Sequence, residues 1–306
     1  MKKDSCSLWI MVARTDTSFM MHTIPHIVKM CNYPFEEKVL AVDTAEVSGH
    51  YAKRPNIGTM NQLRKNCRAL VKNGVMDRIA DIDYSESCRK KTYKKHLGSS
   101  HIWQTHNFKG YPVLGSMFCI EECTTEHMVH FDSDMLLYQR NSCNWIDEGI
   151  QLLKKKRKLL FARAGAGPGT SNKWKRIDWF GSRCYLLNKN RFDEFLPVKP
   201  VFWFKPRRII KSKLPVWMQN LLSKYTKLGF LDSWEKMISA AIKEKGYYSA
   251  YFNPKDSWTL HVKQHNSEVI KILSEIIKKV ESGKYPKEQA GFYDLHPECW
   301  KKYLKK

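Results

Sequence analysis

The 306-residue chain contains no apolar run approaching the ~18–20 residues that a membrane-spanning helix needs. Met1–Asp4 lacks the apolar region of a secretory signal, and the apolar Leu8–Val12 is too short for one and leads into Arg14. The nine cysteines, at 6, 31, 67, 88, 119, 123, 143, 184 and 299, are odd in number and form no Cys-X-X-Cys pair. That argues against a zinc ribbon and for a reduced, cytoplasmic setting. Without internal repeats or a low-complexity linker, the chain reads as one continuous domain. Acidic residues are scarce: 30 Asp and Glu stand against 53 Lys and Arg, a formal net charge of +23. Such a field attracts nucleic acid, anionic lipid or polyanionic substrates without choosing among them. The aromatic platforms and basic helices of a nucleic-acid module are missing, so nucleic acid is not the expected partner.

What is present is the composition of a folded globular chain, 42% hydrophobic and 27% charged. Ser7–Ala13 and Lys38–Val42 are short apolar runs that end in polar residues, as strands buried on both faces do. Between them Met20, Met21, Ile24, Ile27 and Val28 fit a helix, with Pro25 as a kink or late start. Strand, helix, strand within about 35 residues is the βαβ unit of a parallel sheet. A helix over Ile57–Lys72, a strand over Val75–Ile82, a helix over Gly110–Cys123 and a strand over Met128–Phe131 continue the alternation. The lysine-rich Ser85–Gly98 reads as a mobile surface insertion.

Further on, a helix is expected over Trp145–Lys156 and strands over Leu159–Ala162 and Trp179–Leu187, with a flexible loop at the AGAGPG of Ala164–Gly169. Pro197–Phe230 changes character: it mixes aromatic and basic residues, and Trp217, Leu221, Leu222 and Tyr225 share one helical face. A stretch of this kind suits a basic insertion that meets an anionic membrane surface or an acceptor. A helix over Asp232–Lys245, strands over Tyr247–Phe252 and Trp258–Val262, and an amphipathic helix over Ser267–Ser282 complete the pattern.

The stretch that organises the rest is Glu126–Tyr138, EHMVHFDSDMLLY. Its apolar run ends in Asp132 and Asp134, one residue apart, which project from the same side of an extended chain. Two hard oxygen ligands at a strand end can hold a divalent cation and leave positions free for a diphosphate. Ligands of open α/β sheets bind outside the carboxyl ends of the strands. Arg14, Asp16, Asp43, Asp83, Asp132 and Asp134 are all expected on that rim. His130 precedes the triplet within its strand and is expected to be structural.

Taken in order, these segments resemble the inverting GT-A glycosyltransferases, in the style of family 2, over roughly residues 7–265. The resemblance rests on Arg14–Asp16 after the first strand, Val42-Asp43 after the second, HFDSD at 130–134, LDSWE at 231–235 and SWTLH at 257–261. It implies an α/β fold of GT-A type: a Rossmann-like mixed sheet flanked by helices, one domain with a basic insertion and C-terminal helices. The nucleotide-binding half would span about 7–138, the acceptor-side half about 139–265, and a helical extension 266–306. The implied activity is metal-dependent transfer of a sugar from a nucleotide-diphosphate sugar to an acceptor hydroxyl, with inversion, in polysaccharide or glycan assembly. The donor would be UDP- or GDP-linked, the metal Mn²⁺ or Mg²⁺, and the acceptor a glycan or lipid-linked molecule, met in the cytoplasm or at the cytoplasmic membrane face.

The resemblance also implies roles. Asp134 and Asp132 would take the metal, with Asp132 also facing the ribose, and His261 would add a nitrogen ligand, with His265 as the alternative. Arg14, Asp16, Asp43 and Asp83 would contact the nucleotide. An inverting reaction needs a base for the acceptor hydroxyl, for which Asp232 stands first and Glu235 second. Asp232-X-X-Glu235 is equally a helix capping box, in which both side chains serve backbone amides. The chain departs from the family pattern twice: the acceptor motif lacks an adjacent Glu-Asp pair, and the basic insertion has no counterpart. A nucleotidyltransferase is disfavoured because the loop after the first strand, ARTDTS, has no glycine to wrap a triphosphate. The rival from another class is a basic nucleic-acid- or membrane-binding protein without catalysis, and a retaining outcome stays open within the favoured class.

Overall fold

The apolar run at the start of the chain forms β1 (Cys6–Val12), and every one of its residues is buried. In the computed structural model, which describes residues 4–169, 174–204, 214–226, 229–252 and 255–305, this strand lies inside a large mixed sheet. The chain continues through α1 (Met20–Cys31), β2 (Glu37–Val42), α2 (Met60–Lys72), β3 (Arg78–Asp81), α3 (Glu86–Leu97), α4 (Val113–Glu122), β4 (His127–Asp132) and β5 (Met135–Gln139). Then follow α5 (Trp145–Lys155), β6 (Leu159–Arg163), β7 (Gly165–Ala166), β8 (Lys175–Ile177), β9 (Cys184–Asn188), α6 (Lys189–Phe195) and β10 (Phe202–Phe204). The last elements are α7 (Val216–Thr226), β11 (Gly229–Leu231), α8 (Trp234–Lys245), β12 (Tyr248–Tyr251), β13 (Ser257–His261), α9 (Ser267–Glu281) and α10 (Pro297–Leu304).

Among the described residues the main sheet has eight strands in the order β3-β2-β1-β4-β9-β6-β12-β8. β3, β2, β1 and β4 run parallel; β9 pairs antiparallel with both β4 and β6. Because side chains alternate across a strand, the two faces of β1 feed two cores. Leu8, Ile10 and Val12 pack with α1, α2 and α5 residues such as Ile24, Leu63 and Ile150. Trp9 and Met11 join the core of Leu114, Met117, Trp234 and Ile238 from α4 and α8. A smaller sheet, β5-β13-β7, carries a third core in which Leu136 and Leu260 meet Val269, Leu273 and Ile276 of α9 and Trp300 of α10.

Three local expectations are corrected. The lysine-rich stretch after β3 is not an irregular insertion but α3, capped by Ser85 at its start and by left-handed Gly98 at its end. Its buried face is Thr92, Tyr93, His96 and Leu97, which the surrounding lysines hide from a simple hydrophobic count. Pro25 does not mark a late start: α1 begins at Met20 and Pro25 lies inside it. Gly165–Ala166, expected to be loop, is a short strand beside Trp258 and Thr259.

Glu121 ties α4 to α3, accepting from His96 Nε2 at 2.9 Å and from Lys95 Nζ at 2.7 Å. Burial would raise its pKa, but His96 and Lys95 outweigh burial and hold it down to about 2. A carboxylate depressed in the folded state stabilises above its unfolded value and loses that contribution as pH falls through the folded one. The Glu121→Gln variant should therefore be less stable near neutrality by about 2 kcal/mol, the worth of charge-assisted hydrogen bonds. In urea titrations the gap to the parent should close between pH 4.5 and 2.

Candidate active site

Of the residues expected on the rim, Asp16, Asp43, Asp132 and Asp134 line a common cleft, and Arg14 and Asp83 do not. β1, β2 and β4 end side by side, and one open cleft beyond them is lined by Ala13, Thr15, Asp16, Asp43, Tyr51, Arg54, Tyr111, Asp132, Ser133 and Asp134. A second lobe shares Tyr51, Tyr111 and Asp132 and continues to Lys109, Ser182, Arg183 and Glu235. The triplet turns the chain from β4 in the large sheet into β5 in the small one. That tight turn, which a periodicity reading misses, sends the two aspartates to different neighbours.

Asp132 faces the large sheet. Its Oδ1 receives Tyr111 Oη at 3.3 Å and stands 3.1 Å from His130 Nε2. His130 is buried and stacks on Tyr185, so it fixes Asp132 as well as filling the core. Asp134 faces the small sheet. Its Oδ2 lies 3.4 Å from His261 Nε2 and 3.5 Å from His265 Nε2, while its Oδ1 has no hydrogen-bond partner. Burial would raise the Asp134 carboxyl, but the two imidazoles prevail and hold it well below the usual carboxylate range. In turn, burial lowers His261 and Asp134 more than reverses this, so its pKa is raised.

These three side chains come from β5's turn, the end of β13 and the loop after it, and all three are nearly inaccessible, at 8%, 5% and 4% exposure. Both ring nitrogens of His265 lack a hydrogen-bond partner although the ring is packed against Phe19. Buried polar atoms are normally satisfied; Asp134 Oδ1 and both His265 ring nitrogens are not, and Oδ2, which faces both imidazoles, is the oxygen a cation could share with them. Among the described residues no group of three or more His, Cys, Asp or Glu side chains is arranged to hold a metal ion. The separations of 3.4 and 3.5 Å are nonetheless compatible with a shared ion, since ligand atoms ~2.1 Å from one cation lie roughly 3 Å apart.

The other sequence candidates divide. Asp43 closes β2 on the cleft, its Oδ1 taking Tyr84 Oη at 2.8 Å and its Oδ2 standing 3.2 Å from His106. Asp16 lines the cleft, but its oxygens receive Ala13 N, Thr15 Oγ1 and Ser133 Oγ. It therefore braces the middle residue of the triplet. Burial raises its pKa despite those donors. Arg14 points instead to Gly58 O and Glu46, anchoring the loop that carries Tyr51 and Arg54. Asp83 is exposed and accepts from Ser85 N at 2.7 Å at the start of α3, away from the cleft-lining residues.

The two base candidates stand in different surroundings. Ser233, not Asp232, caps α8 and receives Lys236 N. Asp232 is buried with both oxygens engaged, Oδ1 by Ser233 N at 2.7 Å and Oδ2 by Lys236 Nζ at 2.8 Å. Glu235, one turn on, faces the cleft beside Asp132 and Arg183, with Oε2 held by Ser182 N at 3.2 Å.

Arg183 was missed by the sequence reading because it lies in what looked like an ordinary strand. It is half-buried in the cleft, and its own backbone carbonyl receives Asp132 N at 2.8 Å. Burial would lower its pKa, but Tyr293, Asp132, Asp134 and Glu235 raise it. Arg54, which lines the first lobe, lies 3.8 Å over the Tyr51 ring. The two lobes thus hold carboxylates together with two guanidiniums, Arg54 in one and Arg183 in the other.

No family model and no curated protein matches the chain. Among solved structures it is similar to a crystal structure of GalNAc-T7 with UDP, GalNAc and Mn²⁺, at 11% identity and a TM-score of 0.49. That match covers 86% of this chain and 44% of the other, so this chain spans less than half of that one's length. Among the described residues no helix is long and apolar enough to cross a membrane.

Proposed function

We propose that the protein transfers a sugar from a nucleotide-diphosphate sugar, UDP- or GDP-linked, to an acceptor hydroxyl with the help of a divalent metal ion. The observation that supports this best is the buried Asp134, with one orphaned oxygen, facing the imidazoles of His261 and the unpartnered His265 at the end of the sheet. These residues would hold the ion, and two imidazoles favour Mn²⁺ over Mg²⁺. When bound, the ion supplies Lewis-acid stabilisation of the diphosphate leaving group.

The chain's own groups supply the rest. Asp43 and the rings around it offer a hydrogen-bonding site for the base, and Asp132, held by Tyr111 and His130, is placed for the ribose or the metal shell. Arg54 and Arg183 line the two lobes that share Asp132, and their positive charge would favour a diphosphate there. Glu235 takes the acceptor proton as the hydroxyl oxygen attacks the anomeric carbon; the bond from that carbon to the diphosphate oxygen breaks, and the nucleoside diphosphate departs. A base on the face opposite the leaving group gives inversion.

The acceptor would be a glycan or a lipid-linked molecule in glycan assembly. α7 exposes Trp217, Leu221 and Tyr225 along one stripe, the first and last at 65% and 72%. This supports contact with an anionic membrane face; much of the basic run before it, residues 205–213, lies outside the described residues.

A thermal-shift screen of nucleoside diphosphates with and without Mn²⁺ tests the reading. One nucleotide should stabilise the protein only when the metal is present. Stabilisation by none, together with steeply salt-dependent binding to DNA or RNA, would replace it with the binding-protein reading. Arg183→Ala should weaken nucleoside diphosphate binding about 10–100-fold, because a charge-assisted contact in a partly buried site carries on the order of 1.5–3 kcal/mol. Isothermal titration in the presence of Mn²⁺ measures it, and nucleoside affinity should change little.

A further inference from the structure

His261 is gripped from two sides. Its Nδ1 lies 2.8 Å from Asp294 Oδ1, and its Nε2 lies 3.4 Å from Asp134 Oδ2. Asp294 belongs to the segment between α9 and α10, far along the chain from the other site residues. Several hydrogen bonds fix it there. Tyr293 O receives His261 N at 2.9 Å, and Leu295 N donates to His261 O at 2.9 Å, so the segment is docked along the end of β13. Gln289, fully buried, secures it from behind, donating from Nε2 to Phe292 O and Asp294 O and accepting His296 N and Trp300 Nε1 at Oε1. Lys263 Nζ holds the second Asp294 oxygen at 3.0 Å. Gly167, at φ +80, lets this segment approach β7, since a Cβ there would lie 2.3 Å from Phe292 O.

A neutral imidazole carries one proton, and the ring nitrogen without it is the one able to ligate. Asp134 and Asp294 compete for that proton. If Asp134 won, Nε2 would carry the hydrogen and present no lone pair toward the buried carboxylate. The nearer contact, at 2.8 Å, is the one to Asp294. We infer that Asp294 is a positioning residue: it holds the His261 proton on Nδ1 and so turns a bare Nε2 toward Asp134, making the segment before α10 a working part of the metal site. This rests on the metal reading above for its consequence, but the tautomer can be read without any metal. Carboxylate partners of ligating histidines fix the ring in this way and raise its basicity, and their loss typically costs 10–100-fold in metal affinity.

The experiment uses the full chain and three variants, Asp294→Ala, Asp294→Asn and Asp134→Ala. Long-range ¹⁵N–¹H correlation of the metal-free protein at pH 9 reports the tautomer of His261. The wild type, Asp294→Asn (which keeps an acceptor oxygen) and Asp134→Ala should show the Nδ1–H form, and Asp294→Ala should move toward Nε2–H. Titration with Mn²⁺ alone, followed by the EPR signal of the free ion, should show binding weakened 10–100-fold in Asp294→Ala, less in Asp294→Asn, and lost in Asp134→Ala. An unchanged tautomer in a folded Asp294→Ala protein overturns the inference, as does wild-type Mn²⁺ affinity in that variant. Should Asp294→Ala fail to fold, an Nε2–H tautomer in the wild type or in Asp294→Asn overturns it equally. Absence of Mn²⁺ binding by the wild type, with the tautomers as expected, would overturn the metal reading and the role in metal binding while leaving Asp294 in control of the imidazole proton.

Discussion

Replacing Asp134 by alanine should abolish metal-dependent stabilisation by nucleoside diphosphates and lower transfer activity by about three orders of magnitude. Asp134 stands within 3.5 Å of both imidazoles, so its removal takes away the anionic ligand that His261 Nε2 and His265 Nε2 share among the described residues. A ligand present at 100 times its dissociation constant stabilises by roughly 2.7 kcal/mol. For a chain of this size that is a rise of about 5 °C in Tm. The rise should appear with Mn²⁺ and nucleotide for the wild type and vanish for Asp134→Ala. Loss of Lewis-acid help to the leaving group removes several kcal/mol of transition-state stabilisation, which sets the expected rate loss. Asp132→Ala should be milder in metal affinity, because Asp132 is turned away toward Tyr111 and His130. Equal loss in both variants would put the two aspartates on one ion.

The sheet was legible because its strands are short apolar runs that end abruptly in polar residues: SLWIMVA before Arg14, KVLAV before Asp43, MVHF before Asp132. Buried strands have no other way to look, and their ends mark the rim where ligands bind. The triplet was found for the same reason, whereas His261 at the end of β13 came only from the family resemblance of SWTLH. What was hidden follows equally physical lines. α3 buries only a few residues between lysines, so no apolar period announces it. The reversal at Ser133, which separates the aspartates into two environments, depends on Asp16 reaching Ser133 Oγ from 117 residues away in sequence. Arg183 and Asp294 are ordinary charged residues in sequence, and only the folding of β9 beside β4 and of the C-terminal segment beside β13 gives them a role. Local pattern cannot report contacts of that separation.

The capping motif shows how one pattern can mislead about chemistry. Asp232 and Glu235 are three residues apart at a helix start, and either fits a base on sequence grounds. With the cap moved to Ser233, the helix is turned so that Asp232 lies under Lys236 and Glu235 looks into the cleft. The two variants should therefore behave oppositely. Glu235→Gln is expected to lower turnover by about 10²–10⁴-fold, the usual contribution of a positioned base, with donor binding and Tm unchanged. Glutamine keeps an acceptor oxygen for Ser182 N, so the lobe should not collapse. Asp232→Asn keeps an acceptor for Ser233 N and gives up an ion pair to Lys236, whose side chain is 60% exposed. Such a pair contributes under about 1 kcal/mol, so both stability and turnover should stay near wild type. Product release assays with a fixed donor and a panel of glycan and lipid-linked acceptors measure both rates. The reverse result, with Asp232→Asn inactive and Glu235→Gln active, would return the base to Asp232 and require Lys236 to swing aside when the acceptor binds.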